Sequence, residues 1–260
     1  MAKEKFKDAE KGNAVEKEAE DLENGNANAD AAVPAPLYPK MAEDPRARWA
    51  FIRKVYTILA SQFLFTSAVG AVGAFVHPIP KFFLSGGLTS IVVFVAILLS
   101  PFIAMFPMLI FRRKHPINLV LLAIFTACIS CSVCILSSFF GVKAFLEAAI
   151  LTCTVFIALT LFTFWAARGG NDFTFIFPFL FATIHVLLVY LIIQLFFPLD
   201  RIVYTVYSLL ATLLFSGFII FHTESLIKRH GYDEYIIAAI DLYLAGVNLF
   251  TSLLGLAGIA

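Results

Sequence analysis

Seven long apolar stretches, all after Trp49, constrain this chain more than any other feature. A helix rises 1.5 Å per residue, so about 20 apolar residues cross the hydrocarbon core of a bilayer. Strands of a membrane barrel would be about half as long and would alternate polar and apolar residues, which these stretches do not. We therefore predict an all-α polytopic membrane protein. Its seven transmembrane helices are predicted at 55–76, 88–110, 117–140, 144–167, 173–197, 202–221 and 235–259.

The amino-terminal region has a different composition. Of the 260 residues, 60% are hydrophobic, yet residues 1–45 alternate Lys with Glu and then become rich in Asn and Ala. Few large apolar side chains occur there, so we expect a disordered cytosolic tail, followed by a seven-helix transmembrane domain over 46–260. The tail is a candidate binding segment for membrane or cytosolic proteins. Within it, Tyr38 and Met41 fit a tyrosine-based sorting signal, but this pattern is short and common, so we favour an inert linker.

Basic residues are distributed unevenly among the segments between the apolar stretches. With seven spans, one side of the membrane receives only Lys81, Lys143 and Arg201. The positive-inside rule places the richer side in the cytosol, so we expect a cytosolic amino terminus and a lumenal or extracellular carboxyl terminus. The richer side carries Arg46, Arg48, Arg53, Lys54, Arg112, Arg113, Lys114, Arg168, Lys228 and Arg229.

Several function classes are disfavoured by the residue content. The net charge of +1 gives no basis for binding nucleic acid, so the expected environment is the lipid bilayer. Cys128, Cys131 and Cys134 have a metal-like spacing, but they lie mid-span without a nearby His, and we interpret them as packing residues. We expect no enzyme, no cofactor and no resident metal; Ca²⁺ or H⁺ would enter only as a transported or sensed ion.

The hairpin between the last two stretches concentrates ionisable groups. A charge in hydrocarbon costs several kcal/mol, so such a residue usually faces a bundle interior or a water-filled path. Asp241, Ala245 and Asn248 are spaced to share one helix face, and His222 and Glu224 lie at the end of the preceding stretch. This pattern predicts an ion or proton site, with polar contacts between antiparallel helices as the alternative. The cytosolic hairpin itself contains Lys228, Arg229, Asp233 and Glu234.

One further carboxylate lies near the start of an apolar stretch. Glu147 follows Lys143 by four residues, so the two side chains can pair on a helix. We weigh an interfacial ion pair at the lumenal end equally against a functional carboxylate that faces a path.

Several short motifs together resemble the Bax inhibitor (Lifeguard) family, most closely its plant Lifeguard branch, over residues 37–254. They include Leu37-Tyr38-Pro39, Arg48-Trp49-Ala50-Phe51, His115-Pro116-Ile117-Asn118-Leu119, Tyr232-Asp233-Glu234-Tyr235 and Leu242-Tyr243-Leu244. The resemblance implies a seven-helix bundle with the last helix central, and suppression of stress-induced cell death. It implies residence in the endoplasmic reticulum or Golgi, with vacuolar and plasma membranes as alternatives. It also implies a pH-sensitive calcium leak that depends on two membrane aspartates.

Both of those aspartates are absent from this chain. The motif that usually reads Tyr/Phe-Asp-Thr is Phe221-His222-Thr223, and the usual Leu-Tyr-Leu-Asp is Leu242-Tyr243-Leu244-Ala245. Our hypothesis is that Asp241, one turn from Ala245, pairs with His222, and that the pair titrates through the histidine. We expect a regulator of cell death and organelle calcium homeostasis with weak or no calcium leak. The alternative is a pH-dependent leak channel or proton-coupled exchanger that uses relocated carboxylates at Asp241, Glu224 and Glu147.

Overall fold

The computed structural model describes residues 34–39, 41–76, 78–111, 114, 116–194, 196 and 200–258. Every regular element in these ranges is helical. The elements are α1 (Pro45–Phe75), α2 (Pro78–Leu84), α3 (Leu88–Phe111), α4 (Ile117–Arg168), a 3-10 turn (Thr174–Ile176), α5 (Phe177–Gln194), α6 (Arg201–Lys228) and α7 (Tyr235–Ala257). The expected disorder of residues 1–33 and the basic residues at 112 and 113 lie outside the described residues.

The helices of the described chain agree in position with the predicted spans, but several bounds differ. Six of them, all but α2, are long and apolar enough to cross a membrane. α1 begins ten residues before the predicted span, because Asp44 caps it by accepting a hydrogen bond from the Arg46 backbone N–H and a proline occupies its first position. α6 continues to Lys228, past the predicted end at 221. The short α2 lies between the first two predicted spans, where the sequence predicted no helix.

The fourth helix is too long for a single crossing. α4 has 52 residues, which at 1.5 Å per residue would extend about 78 Å, more than twice the thickness of a hydrocarbon core. Its helical conformation is interrupted at Gly141, where φ is 79° and ψ is 176°. Residues with a Cβ rarely adopt this backbone conformation, so glycine permits the break. The two predicted spans at 117–140 and 144–167 meet at this position.

The last helix is the most buried of the six long helices. In its most apolar window 67% of residues are buried, against 11–33% in the others. α7 packs against α1, α4 and α6, and the side chains of Leu242, Tyr243 and Leu249 are fully buried. Exposed apolar side chains are frequent on α3 and α5, which have the lowest buried share. This distribution suits a bundle whose outer helices face lipid.

The first and fourth helices approach each other very closely. A Cβ at Gly73 would lie 2.0 Å from the backbone carbonyl oxygen of Cys134, so no side chain fits at this point. Small residues at helix contacts are typical of membrane bundles, in which close backbone approach supplies much of the packing energy. Cys134 thus belongs to a packing surface, and all four cysteines are free thiols.

The segment before α1 packs onto the bundle. Leu37 is only 2% exposed and belongs to the main core cluster, while Tyr38 and Met41 pack against that cluster. A Cβ on Gly170 would lie 3.3 Å from the ring of Pro39, which brings this segment against the loop after α4. Packed structure therefore begins before residue 46, and this differs from the expected boundary. The physical reason is the burial of the apolar side chain of Leu37, with Tyr38 and Met41 beside it, on the core cluster.

Candidate functional site

His222 and Asp241 face each other across the α6–α7 pair. Nδ1 of His222 lies 3.9 Å from Oδ2 of Asp241, within the range of an ion pair but beyond a direct hydrogen bond. The His222 ring stacks on Phe218, with centroids 5.6 Å apart, and meets Phe221 edge to face. The two side chains are 19% and 33% exposed. They form a polar pair at the hairpin end of the bundle, by which we mean the end that carries residues 229–234.

The next turn of α7 is apolar. Ala245 is 4% exposed and belongs to a core cluster with Ile219 and Leu249. Asn248, one turn further, donates a 2.8 Å hydrogen bond from Nδ2 to the carbonyl oxygen of Leu244 in its own helix. The polar pair at Asp241 is thus separated from Asn248 by a buried apolar layer.

Glu224 anchors the loop between α4 and α5 to the end of α6. Its carboxylate is fully buried and accepts hydrogen bonds from the backbone N–H of Phe173, 3.0 Å from each oxygen. Lys228 donates to Oε1 of Glu224 at 2.8 Å and also to the carbonyl of Asn171. These partners compensate the buried negative charge of Glu224. We call the group of Asn171, Asp172, Phe173, Thr174, Glu224, Lys228 and Arg229 the loop latch.

Arg229 completes the loop latch from its exposed side. Its guanidinium lies 3.3 Å from Oδ1 of Asp172 and 3.6 Å from Oε2 of Glu224, and it also donates to the hydroxyl of Thr174. Hydrogen bonds from the Thr174 side chain and backbone lower the pKa of Asp172 to about 2. Asp172 is therefore ionised at any physiological pH, and the latch carries two carboxylates against two cations.

A second group of contacts joins the segment before α1 to the hairpin. Arg48 is only 2% exposed and donates a 2.6 Å hydrogen bond to the carbonyl of His230. It also pairs with Glu43 and lies over the ring of Tyr232, 4.9 Å from the centroid. The Tyr232 hydroxyl donates to Glu43 at 2.8 Å, which lowers the pKa of Glu43 and raises that of Tyr232. Arg48, which the sequence indicated only as one of the basic residues of the cytosolic side, is therefore a buried link between distant segments.

The turn of the hairpin is held by its own side chains. Nδ1 of His230 lies 3.5 Å from Oε2 of Glu234, which precedes α7 and also accepts from the Gly231 N–H. Burial lowers the pKa of His230, although Glu234 opposes this shift. Asp233 is exposed in the same turn. These residues orient the start of α7 and so fix the position of Asp241 along the helix axis, about two turns later.

A line of buried hydroxyl and amide groups runs between α1, α4 and α7. Thr66 lies 2.8 Å from the hydroxyl of Tyr243 and 2.9 Å from that of Ser130. One turn away, Nε2 of Gln62 donates to Thr126 at 2.8 Å. These bonds tie the last helix to its neighbours inside the apolar part of the bundle. Our sequence reasoning missed them, although the i, i+4 spacing of Gln62 with Thr66, and of Thr126 with Ser130, was a visible signal.

The remaining predicted residues take part in neither the His222–Asp241 pair nor the loop latch. Glu147 lies 3.8 Å from Lys143, and both side chains are well exposed, so the two form an exposed ion pair. Tyr38 and Met41 pack on the core cluster, so a sorting receptor could bind them as an extended peptide only after this segment left the bundle. In the described ranges, His, Cys, Asp and Glu do not gather in groups of three that could hold a metal ion.

Comparison with known proteins gives consistent matches over most of the chain. The family model described as inhibitor of apoptosis-promoting Bax1 matches residues 48–260. Protein LIFEGUARD 2 of Arabidopsis thaliana is 48% identical over 221 residues, which are 85% of this chain and 92% of that protein. Protein LIFEGUARD 4 of the same plant is 45% identical over 90% of this chain and 93% of its own. The Golgi anti-apoptotic protein of Vaccinia virus (strain Lister) is 37% identical over 80% of this chain and 85% of its own.

Proposed function

Because this chain belongs to the Bax inhibitor family and is similar to its plant Lifeguard proteins, we propose that it is a membrane-embedded regulator of stress-induced cell death. We propose further that it acts in organelle calcium homeostasis without a strong calcium leak of its own, and without enzymatic activity. The first part is supported by the relative named as a Golgi anti-apoptotic protein. The second part is supported by this chain's own residues.

One observation carries the proposal of weak conduction. The resemblance attributes calcium leak to two aspartates, and their positions hold His222 and Ala245. Ala245 is buried against Ile219 and Leu249, so its surroundings are apolar on both helices. A dehydrated Ca²⁺ ion prefers six to eight oxygen ligands, mostly carboxylate and carbonyl, which an apolar layer does not supply.

The other carboxylates do not replace the lost pair. Glu224 is bound by Lys228 and by the Phe173 N–H, so its charge serves the loop latch. Glu147 lies on the stretch of α4 that follows Gly141 and pairs with Lys143. Asp241 remains, but it is a single carboxylate beside a histidine, and one carboxylate supplies at most two of the six to eight oxygen ligands that Ca²⁺ prefers. These positions favour a regulator over a relocated leak channel or exchanger.

The topology that we propose has seven crossings. Division of α4 at Gly141 gives two helical halves, each of bilayer length, and so adds one crossing to the six long helices. We propose α7 as the central helix, which its high burial supports. With seven crossings, the positive-inside rule gives a cytosolic amino terminus and a lumenal carboxyl terminus. The hairpin end, with the loop latch, then faces the cytosol of an endomembrane such as the Golgi or endoplasmic reticulum.

A survival assay tests the proposed role. The chain is expressed in cells that lack their own Bax inhibitor proteins, and these are treated with an inhibitor of protein folding in the endoplasmic reticulum. We expect higher survival than with empty vector, and no fall in resting calcium in the organelle lumen, because the proposed leak is weak. The Glu147→Gln variant, which alters only an exposed ion pair, serves as an expression-matched control and should protect equally. Survival no better than vector at equal expression would refute the proposed role.

A further inference from the structure

A large cavity lies in the half of the bundle away from the hairpin. It has a volume of about 730 Å³ and is bounded by α3, α4, α5, α6 and α7. Along α4 its lining runs from Phe125 to Phe139, which corresponds to about 21 Å of helix. One leaflet contributes about 15 Å of hydrocarbon core. The cavity is therefore about 6 Å deeper than one leaflet of hydrocarbon core, and its volume falls in the range of small-molecule sites.

The cavity opens sideways between α3 and α5. α3 packs on α4 while α5 packs on α6, so the two helices form opposite walls. In the most apolar stretch of each of these two helices only 11% of the residues are buried, which is the lowest share among the long helices of the described chain. Phe102 on α3 and Leu188 on α5 line the cavity and are 61% and 50% exposed. A ligand would therefore enter from the lipid rather than from water.

The lining has no formal charge and is polar mainly at one end. Among the described residues that line the cavity, none is Asp, Glu, Lys, Arg or His. Tyr204 and Ser208 in the first turns of α6 lie near Thr251 and Ser252 in the last turns of α7, and all four line the cavity. The Thr251 and Ser252 hydroxyls donate to the Asn248 carbonyl at 3.0 and 2.7 Å. Their oxygens keep lone pairs that can accept a hydrogen bond from a ligand.

We propose that this cavity binds a sterol, whose hydroxyl lies between α6 and α7 at the polar end and whose rings fill the apolar part. A charged lipid headgroup would lose its hydration there without a counter-charge, so phospholipids are disfavoured. A rigid apolar body suits walls formed by side chains such as Phe102, Leu136 and Leu188. In the proposed orientation, the sterol sits in the lumenal leaflet, and the site is independent of the His222–Asp241 pair.

Photolabelling tests the site and its opening. The purified chain is placed in phosphatidylcholine nanodiscs with a photoreactive sterol, and labelled peptides are identified by mass spectrometry. We expect saturable labelling of α3 and α5 that excess unlabelled sterol removes. Leu188→Trp places a bulky ring in the opening and should abolish saturable labelling. Val189→Trp is the matched control, because Val189 is equally lipid-exposed but lies outside the lining. Equal labelling of the two variants would overturn the proposal.

A second pair of variants tests the polar end. Tyr204 lines the cavity at its polar end, whereas Tyr190 on α5 lies outside the lining. We expect Tyr204→Phe to weaken half-maximal labelling about three- to tenfold and Tyr190→Phe to leave it unchanged; equal labelling of the two variants would overturn the placement of the sterol hydroxyl. Competition by ceramide or diacylglycerol but not by sterol would overturn the assignment to a sterol. Labelling that never saturates would overturn the site itself.

Discussion

The loop latch leads to a quantitative prediction about Glu224. Glu224→Gln keeps the shape of the side chain and one acceptor for the Phe173 N–H, but it removes the charge that faces Lys228. Breaking a buried ion pair by neutralising one partner costs about 3–5 kcal/mol. Lys228 is 16% exposed and keeps its bond to the Asn171 carbonyl, so we expect the lower limit, about 3 kcal/mol. That free energy corresponds to an increase of about 100-fold in the open population of the loop.

Hydrogen exchange measures this population directly. In nanodiscs, exchange of the Phe173 amide, followed in peptides that cover residues 169–176, should accelerate about 100-fold in Glu224→Gln. Glu147→Gln makes the same chemical change in an exposed pair 3.8 Å from its lysine, and it should change exchange at Phe173 by less than about twofold. Unchanged exchange in Glu224→Gln would refute the view that this carboxylate anchors the loop.

Two further predictions concern packing and pH. Gly73→Ala forces α1 away from the Cys134 carbonyl and should destabilise the bundle by about 1–3 kcal/mol. The measurement is the midpoint of thermal unfolding in detergent, which should fall. Gly87→Ala is the control: the nearest atom to its new Cβ would lie 3.8 Å away, so the midpoint should not change. Because the folded-state pKa of Asp172 is lowered to about 2 from 3.8, its contribution is complete above about pH 4 and is lost as the pH falls through about 2. Exchange of the Thr174 amide, corrected for its intrinsic pH dependence, should therefore rise only below about pH 4, and a rise between pH 7 and 5 would contradict this sign.

The sequence predicted the helical class well because long apolar runs leave few alternatives. The ends of the helices were predicted less well. α1, for example, begins at Pro45 because Asp44 caps it, and both residues lie outside the apolar run. α2 was missed because proline-rich segments usually break helices, while proline is tolerated in a first turn. Hydropathy also gave no sign that Leu37 packs onto the core, because a short proline-rich stretch has no helical or strand periodicity that would indicate burial.

The candidate site could be predicted only in part for a related reason. His222 and Asp241 lie opposite each other because a short hairpin joins two antiparallel helices, so the sequence could suggest this pair. The role of Glu224 depends on the Phe173 N–H, 51 residues away in sequence, and that of Arg48 on the carbonyl of His230. Contacts with distant backbone groups leave no periodic pattern in the sequence. For this reason Glu224 resembled an ion-site carboxylate rather than a structural anchor.

Calcium flux in reconstituted liposomes tests the central claim most directly. The proposal predicts that efflux from liposomes with the unaltered chain stays close to that of protein-free liposomes. The double variant His222→Asp, Ala245→Asp has both carboxylates and should raise efflux. Because a carboxylate at the buried position 245 can disturb folding, the single variant His222→Asp, changed at a partly exposed position, is measured beside it. Efflux from the unaltered chain as large as that from a relative with both aspartates would contradict the claim that this chain has lost strong conduction.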